Sequence, residues 1–199
     1  MIRKRQLVQL YVKKQKSMQE IAHACRCSLH TVHYWMQRHN IERRSISESI
    51  YLKHNPHGDP FYFDPPKTRK DFRLFGMGLG LYWGEGTKSS RNEVRLGNTD
   101  AYLIRIFMKF LTRFYRINRN DFRFGLQIFS DMSSQKALAF WLKSLKVSKR
   151  QFHPKVIVTR SGSIGTYRKK SPYGVVTVHY HNTKLRNLLN DHLAAVAQG

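Results

Sequence analysis

Residues 74–89, LFGMGLGLYWGEGTKS, decide how the rest of the chain is read. Five glycines fall in the stretch, its first eleven residues carry no charge, and one glutamate, Glu85, then stands between Gly84 and Gly86. On a helix over 71–84, Gly76, Gly80 and Gly84 lie four apart and share one face. A glycine inside a helix costs about 1 kcal/mol relative to alanine. The stripe therefore predicts another backbone packed against it at short range. Leu74, Phe75, Met77, Leu81 and Tyr82 fill the remaining surface and predict a buried helix. Glu85 falls at the C-terminal end, where the helix dipole disfavours a carboxylate. A divalent cation shared with a second carboxylate would remove that penalty. Asp100 and Asp131, by contrast, fall at expected helix starts, where acids are favoured.

The composition limits the classes of partner. The chain has 199 residues, of which 41% are hydrophobic and 13% aromatic, so it has the material for a core. Its 36 lysines and arginines against 12 acids give a net charge of +24, and the pI is about 10.5. Such a surplus on a folded chain points to a polyanion, foremost a nucleic acid. Residues 1–50 carry +7 and the remainder +17, so both parts are expected to touch it. The two cysteines, Cys25 and Cys27, are too close for an easy disulfide, which fits a reducing compartment. No signal-peptide pattern is present, and the apolar run over 74–83 is about half the length that spans a bilayer. The expected location is the cytoplasm, in a bacterial or phage-like setting, with no membrane contact.

Four of the six prolines, Pro56, Pro60, Pro65 and Pro66, fall in NPHGDPFYFDPP and forbid helix there. They divide the chain into 1–50, a linker over 51–70, and 71–199. The aromatics Phe61, Tyr62 and Phe63 predict that the linker packs on something. In the first part, Ser17 and Glu20 form a capping box for a helix over 18–25, with Ile21 and Cys25 inward. Ser28 caps a second helix reaching about His39, with Val32, Trp35 and Met36 as its apolar stripe. An earlier helix carrying Leu7, Leu10 and Tyr11 completes a three-helix core. Small Ala22, with Val32 ten residues on, resembles the helix-turn-helix of DNA-binding regulators and recombinases. Arg26 takes the turn position where that motif commonly has a left-handed glycine. The resemblance implies that Leu29, His30, His33, Tyr34 and Gln37 face base edges, with Arg38 near phosphates. His23, Cys25, Cys27 and His30 also invite a zinc reading, but their spacing does not fit the usual pattern.

Downstream, TKSSRNEVRLGN predicts a hairpin turning at Arg91-Asn92. TDAYLIRIFMKFLTRFY is an amphipathic helix with Leu103, Ile104, Phe107, Leu111 and Phe114 on one face. DFRFGLQIF alternates as a strand, and SQKALAFWLKSL is a helix. KVIVTR and GVVTVHYH are strands joined by the basic tongue SGSIGTYRKKSPY, and NTKLRNLLNDHL is a last helix.

Read against the LAGLIDADG homing endonucleases, residues 78–86 (GLGLYWGEG) match the motif at Gly80, Leu81 and Gly86, with Glu85 on the essential acid. Trp83 and Gly84 replace the inner aspartate and alanine. The element order over 70–196 is similar to that family's, and the chain also resembles short bacterial proteins that join a helix-turn-helix to LYWGEG and a late K-x-P-Y-G. The resemblance implies an α+β protein: an N-terminal three-helix helix-turn-helix domain, then an α-β-β-α-β-(α)-β-β-α domain with an antiparallel saddle sheet. It further implies a Mg²⁺-dependent double-strand DNA endonuclease acting as a homodimer, with Gly76, Gly80 and Gly84 on its axis. Glu85 and the Gly84 carbonyl would hold the metal, with Arg95 and either Lys155 or Lys170 as catalytic helpers. The DNA-facing candidates are Lys88, Arg91, Arg95, Arg123, Gln127, Arg160, Arg168, Lys169 and Lys170.

Two rivals come from other classes: a DNA-binding transcriptional regulator that does not cut, and an RNA-binding factor that assists intron splicing. His179, His181 and Asn182 in VHYHNTKL suggest a nuclease of the HNH type, but the sequence pattern offers no acidic or second histidine partner for them.

Overall fold

A computed structural model describes residues 1–90, 92–161 and 171–198. The chain forms two compact units, divided between Pro60 and Phe61.

In the first unit, α1 (Lys4–Leu7) runs on into a π-helical turn (Val8–Lys13), followed by α2 (Met18–Ala24), α3 (Leu29–Arg38) and α4 (Ile46–His54). The Ser17–Glu20 capping box forms, with the Ser17 amide donating to Glu20 Oε2 at 2.8 Å and the Glu20 amide to Ser17 Oγ at 3.1 Å. Ser28 caps α3 by accepting from the Thr31 amide. Leu7, Tyr11, Ile21, Ala22, Val32 and Met36 form the core, and Trp35 and Cys25 pack at its edge. Arg26, in the turn between α2 and α3, has φ +51°, so a non-glycine takes the left-handed position. The zinc-type residues do not converge, because no group of three ligands suited to a metal occurs among the described residues. α4 was not expected: Ser45 caps it, and it ends at His54, before the Asn55-Pro56 pair blocks further helix. The segment expected as linker from residue 51 thus begins as helix.

The second unit comprises α5 (Arg69–Glu85), β1 (Val94–Asn98), α6 (Ala101–Phe114), β2 (Arg123–Phe129), α7 (Ser134–Leu145), β3 (Ile157–Thr159), β4 (Val175–Tyr180) and α8 (Thr183–Gln198). Short 3₁₀ turns precede β2 and follow α7. Its first residues are tied down: the Tyr62 and Asp64 amides donate to the Tyr115 and Phe114 carbonyls, and Phe63 packs on Phe75, Tyr115 and His192. Asp64 gathers Lys67, Arg116 and Arg113, which hold its carboxyl down at about 2.

The strands lie in the order β1-β4-β2-β3. β4 pairs antiparallel with both β1 and β2, whereas β3 runs parallel to β2. The sheet is therefore mixed, not antiparallel throughout, because β3 is a three-residue strand on the outer edge of β2. Of the expected hairpin over 87–98, the turn residue Arg91 lies outside the described residues, and the described part before β1 forms no strand. β1 takes β4 as its partner, and the preceding chain adds only a Gly86–Leu96 bridge and a bond from the Thr87 amide to the Arg95 carbonyl at 3.0 Å. Asp100 caps α6 as expected, but α7 is capped by Ser133, and Asp131 instead accepts from Ser161 Oγ at 2.9 Å.

The core lies between the helices and one sheet face, where Val94, Leu96, Phe124, Leu126, Ile128, Val176, Val178 and Tyr180 meet Ile104, Phe107, Phe110, Leu111 and Trp141. α5 enters it through Gly78, Leu79 and Tyr82. Gly78 is the true close approach: a Cβ there would overlap the Phe110 ring. Gly76, Gly80 and Gly84 meet nothing within 4 Å. Phe72, Met77 and Trp83 beside them are 60%, 42% and 57% exposed, so α5 is half buried rather than enclosed. The Tyr82 ring stacks on Phe107, and its buried hydroxyl has no hydrogen-bond partner among the described residues.

Gly78→Ala should lower stability by about 1–3 kcal/mol, the usual cost of forcing a methyl into a filled core. Tyr82→Phe should leave stability unchanged or raise it by about 1 kcal/mol, because it removes an unsatisfied hydroxyl. Urea unfolding of the two variants checks both.

Candidate functional site

The face of the second unit's sheet that is turned away from its helices follows from strand alternation. If Val94, Leu96, Phe124, Leu126, Val176 and Val178 point to the helices, the residues between them point away. The register puts Arg95 opposite His179 and His179 opposite Arg123 in one row. Gly97, Thr177 and Gly125 form the next row, and Val175, Gln127 and Ile157 the one after. Three candidates scattered along the sequence, Arg95, Arg123 and Gln127, thus share a face and are all exposed. They are not equally free. Arg123 Nη1 donates to the carbonyls of Asn120 and Phe122 at 2.7 and 3.0 Å, and Gln127 Nε2 donates to Thr159 Oγ1 at 3.0 Å.

An acid stands at the edge of this basic face. Glu93 Oε2 lies 2.9 Å from His179 Nδ1 and 3.3 Å from His181 Nδ1, and Glu93 Oε1 is 4.0 Å from an Arg95 nitrogen. His153 brings a third imidazole, its ring centroid 5.5 Å from that of His179. The acidic partner that the sequence pattern lacks for His179 and His181 is therefore Glu93, 86 residues away from His179. Burial pushes the His179 imidazole below its usual value. The hydrogen bond and charge of Glu93 oppose that shift, while Arg95 and His153 add to it.

Glu85 is the last residue of α5 and is exposed. It has no hydrogen bond or ion pair among the described residues. The backbone around it is fixed: the Gly86 amide donates to the Tyr82 carbonyl, and Gly86 bridges Leu96 on β1. Lys88, a DNA-facing candidate, turns its ammonium onto the Trp83 carbonyl, where a cation suits the helix C-terminus. The Gly84 carbonyl accepts no backbone hydrogen bond from a residue outside its helix. Glu85 and Gly84 thus offer one carboxylate and one free carbonyl oxygen, hard ligands of the kind Mg²⁺ takes. They amount to half a site, since no cluster of three ligand residues occurs among the described residues.

Of the proposed helpers, Arg95 is joined through its carbonyl to Thr87, two residues past Glu85. Lys155 is exposed in the loop before β3, and nothing connects it with Glu85. Arg160 is exposed just past β3. Arg91, Arg168, Lys169 and Lys170 lie outside the described residues. In the first unit, α3 leaves Leu29, His30, Tyr34, Gln37 and Arg38 exposed and half-buries His33. No helix among the described residues is long and apolar enough to cross a membrane.

No protein-family model matches the chain. No curated protein and no solved structure gives a significant match either.

The His179 shift carries a sign that can be measured. A histidine with a lowered folded-state pKa binds fewer protons than its unfolded form, so its contribution to stability is present above the ordinary histidine value of about 6.5 and falls as pH drops below it. An NMR titration should place His179 below 6.5, and Glu93→Gln should lower it further, because the opposing charge is removed.

Proposed function

We propose that this protein is a site-specific, metal-dependent endonuclease of double-stranded DNA that acts as a homodimer. The observation that carries the reading is the course of α5: an exposed stripe of Gly76, Gly80 and Gly84 leads to an exposed carboxylate at Glu85 that has no partner among the described residues. Helix geometry spaces those glycines about 6 Å apart along the axis. A second copy of α5 laid against the stripe would cover Phe72, Met77 and Trp83. It would also bring two Glu85 carboxylates to the same end of the helix pair.

In that arrangement Glu85 and the Gly84 carbonyl of each chain would be the residues that hold the metal. Mg²⁺ bound there would supply Lewis acidity and orient an attacking water. Arg95, anchored beside the end of α5, neutralises phosphate charge. Arg95, Arg123 and Gln127 on the sheet, with Arg160 at its edge, track the duplex, and the exposed face of α3 adds a second contact in a major groove. Both units carry positive charge, which makes the binding strongly dependent on salt.

A second reading has an observation of its own. Each chain offers one carboxylate at this helix end, and Trp83 stands where an inner acid would double it. This favours a regulator that binds an operator through the same surfaces without cutting. An RNA-splicing role would replace duplex by folded RNA on the same basic face.

A randomised duplex library incubated with wild type and with Glu85→Gln, in Mg²⁺ and in Ca²⁺, separates these readings by sequencing the bound and the cleaved molecules. The expected outcome is cutting at a defined site by wild type in Mg²⁺. Glu85→Gln should bind that site while cleaving on the order of 10³-fold more slowly, the scale of losing a transition-state contact. Selection of one site by both proteins with no cutting would establish the regulator. Gly80→Leu, which has room in the single chain, should abolish the dimer in analytical ultracentrifugation and double-strand cutting with it.

A further inference from the structure

The sheet face turned away from the helices carries a group that a phosphate-binding surface has no use for. Glu93, as a carboxylate, only accepts hydrogen bonds, so Nδ1 of His179 must be the donor to it, and His181 Nδ1 lies 3.3 Å from the same oxygen. That fixes the tautomer of neutral His179 and leaves its Nε2 as a lone-pair acceptor. Nε2 is directed across the sheet over Gly125, where an added Cβ would lie 3.4 Å from it. No described side chain caps that nitrogen. Gly97 and Gly125 flank Thr177 in the adjoining row, so the floor there is low, and the His179 side chain keeps 13% of its surface exposed.

The groups facing His179 are Glu93 and Arg95 from the β1 side, Arg123 from β2, His153 beyond β2, and His181 at the end of β4. Arg95 and Arg123 are donors only, and phosphate oxygens at neutral pH are acceptors only. An acceptor nitrogen whose residue has Arg95 and Arg123 as its strand neighbours therefore suits a ligand that presents a donor. In the DNA major groove, which admits strands, such donors are the exocyclic amino groups of adenine and cytosine.

We infer that His179, oriented by Glu93, reads a base of duplex DNA by accepting a hydrogen bond from the amino group of adenine or cytosine, while Arg95 positions the backbone. The inference rests on the duplex-DNA reading above, but it requires no cleavage. Glu93 is a positioning residue: it sets which ring nitrogen carries the proton and has no contact with the base. Protonation of His179 converts Nε2 into a donor, so in acid the same position turns toward guanine, whose O6 and N7 accept.

The test is selection from a randomised duplex library in Ca²⁺ at pH 8 and in acid, using the full chain as wild type, His179→Ala, Glu93→Gln and Arg95→Ala. At pH 8 the wild type should prefer adenine or cytosine about tenfold at one position, within the range of a good base contact. His179→Ala should lose that preference and keep the others, which also reports that it is folded. Glu93→Gln should weaken the same preference severalfold, and Arg95→Ala should lower affinity evenly across sequences. At a pH where NMR shows His179 protonated, the wild type should shift toward guanine at that position, and His179→Ala should not. Unchanged preference at every position in His179→Ala, with duplex binding intact, would overturn this inference alone. Loss of all duplex binding in the wild type, or binding of folded RNA in its place, would overturn the parent reading with it.

Discussion

Gly78 lies against the Phe110 ring with no room for a side-chain carbon between them, and the orientation of α5 depends on this contact. Bringing the helix backbone onto α6 turns Leu79 and Tyr82 into the core, where Tyr82 stacks on Phe107 and Phe75 meets Phe110 and Phe114. On a helix that choice fixes the opposite face as well. Gly76, Gly80 and Gly84 turn outward together with Phe72, Met77 and Trp83, leaving an apolar strip exposed in a protein of net charge +24. Such a strip is costly to leave in water, so the constraint that builds the core also creates the surface that a partner would cover.

The same contact determines where the acid arrives. α5 stops at Glu85 because Gly86 turns into an extended conformation and bridges Leu96. The helix end is thereby joined to β1, and through the β1–β4–β2 register to the row holding Arg95, His179 and Arg123. The helix end and the sheet face are consequently joined through β1 within the second unit. A change in the α5–α6 packing would move the carboxylate relative to the basic face.

Features written in short-range chemistry were legible in the sequence. The Ser17–Glu20 box, the Ser28 and Asp100 caps, the apolar stripe of α6 and the alternation of β2 and β4 each need only neighbours a few residues away. Pairing across the chain was not legible. TKSSRNEVRLGN has the pattern of a hairpin, yet β4, about eighty residues later, offered β1 a longer antiparallel ladder. The parallel placement of β3 is equally non-local, since a three-residue strand carries no directional signal of its own. Among the glycines, spacing singled out the stripe of three, while the one that meets another helix is Gly78, and only the position of Phe110 distinguishes it. Glu85 and the two sheet arginines could be singled out because charge against context is visible in sequence. The Glu93–His179 pair could not, because its members become neighbours only through the sheet.

The acids of the second unit make the last step. In a chain so basic, a carboxylate finds a cation or an amide nearby almost by default, and most of them do. Asp64 and Asp71 share Arg113, Asp100 caps α6, Asp131 holds Ser161, and Glu93 meets two histidines. Glu85 has none of these among the described residues, although Lys88 lies three residues on and instead satisfies the Trp83 carbonyl. A carboxylate at a helix C-terminus faces the negative end of the dipole and gains nothing locally. Folding alone therefore gives no reason for an acid at this position, and glutamine or lysine there would stabilise the helix end better. What α5 gives up in stability at Glu85 is what the proposed cation, shared between two such helix ends, would return.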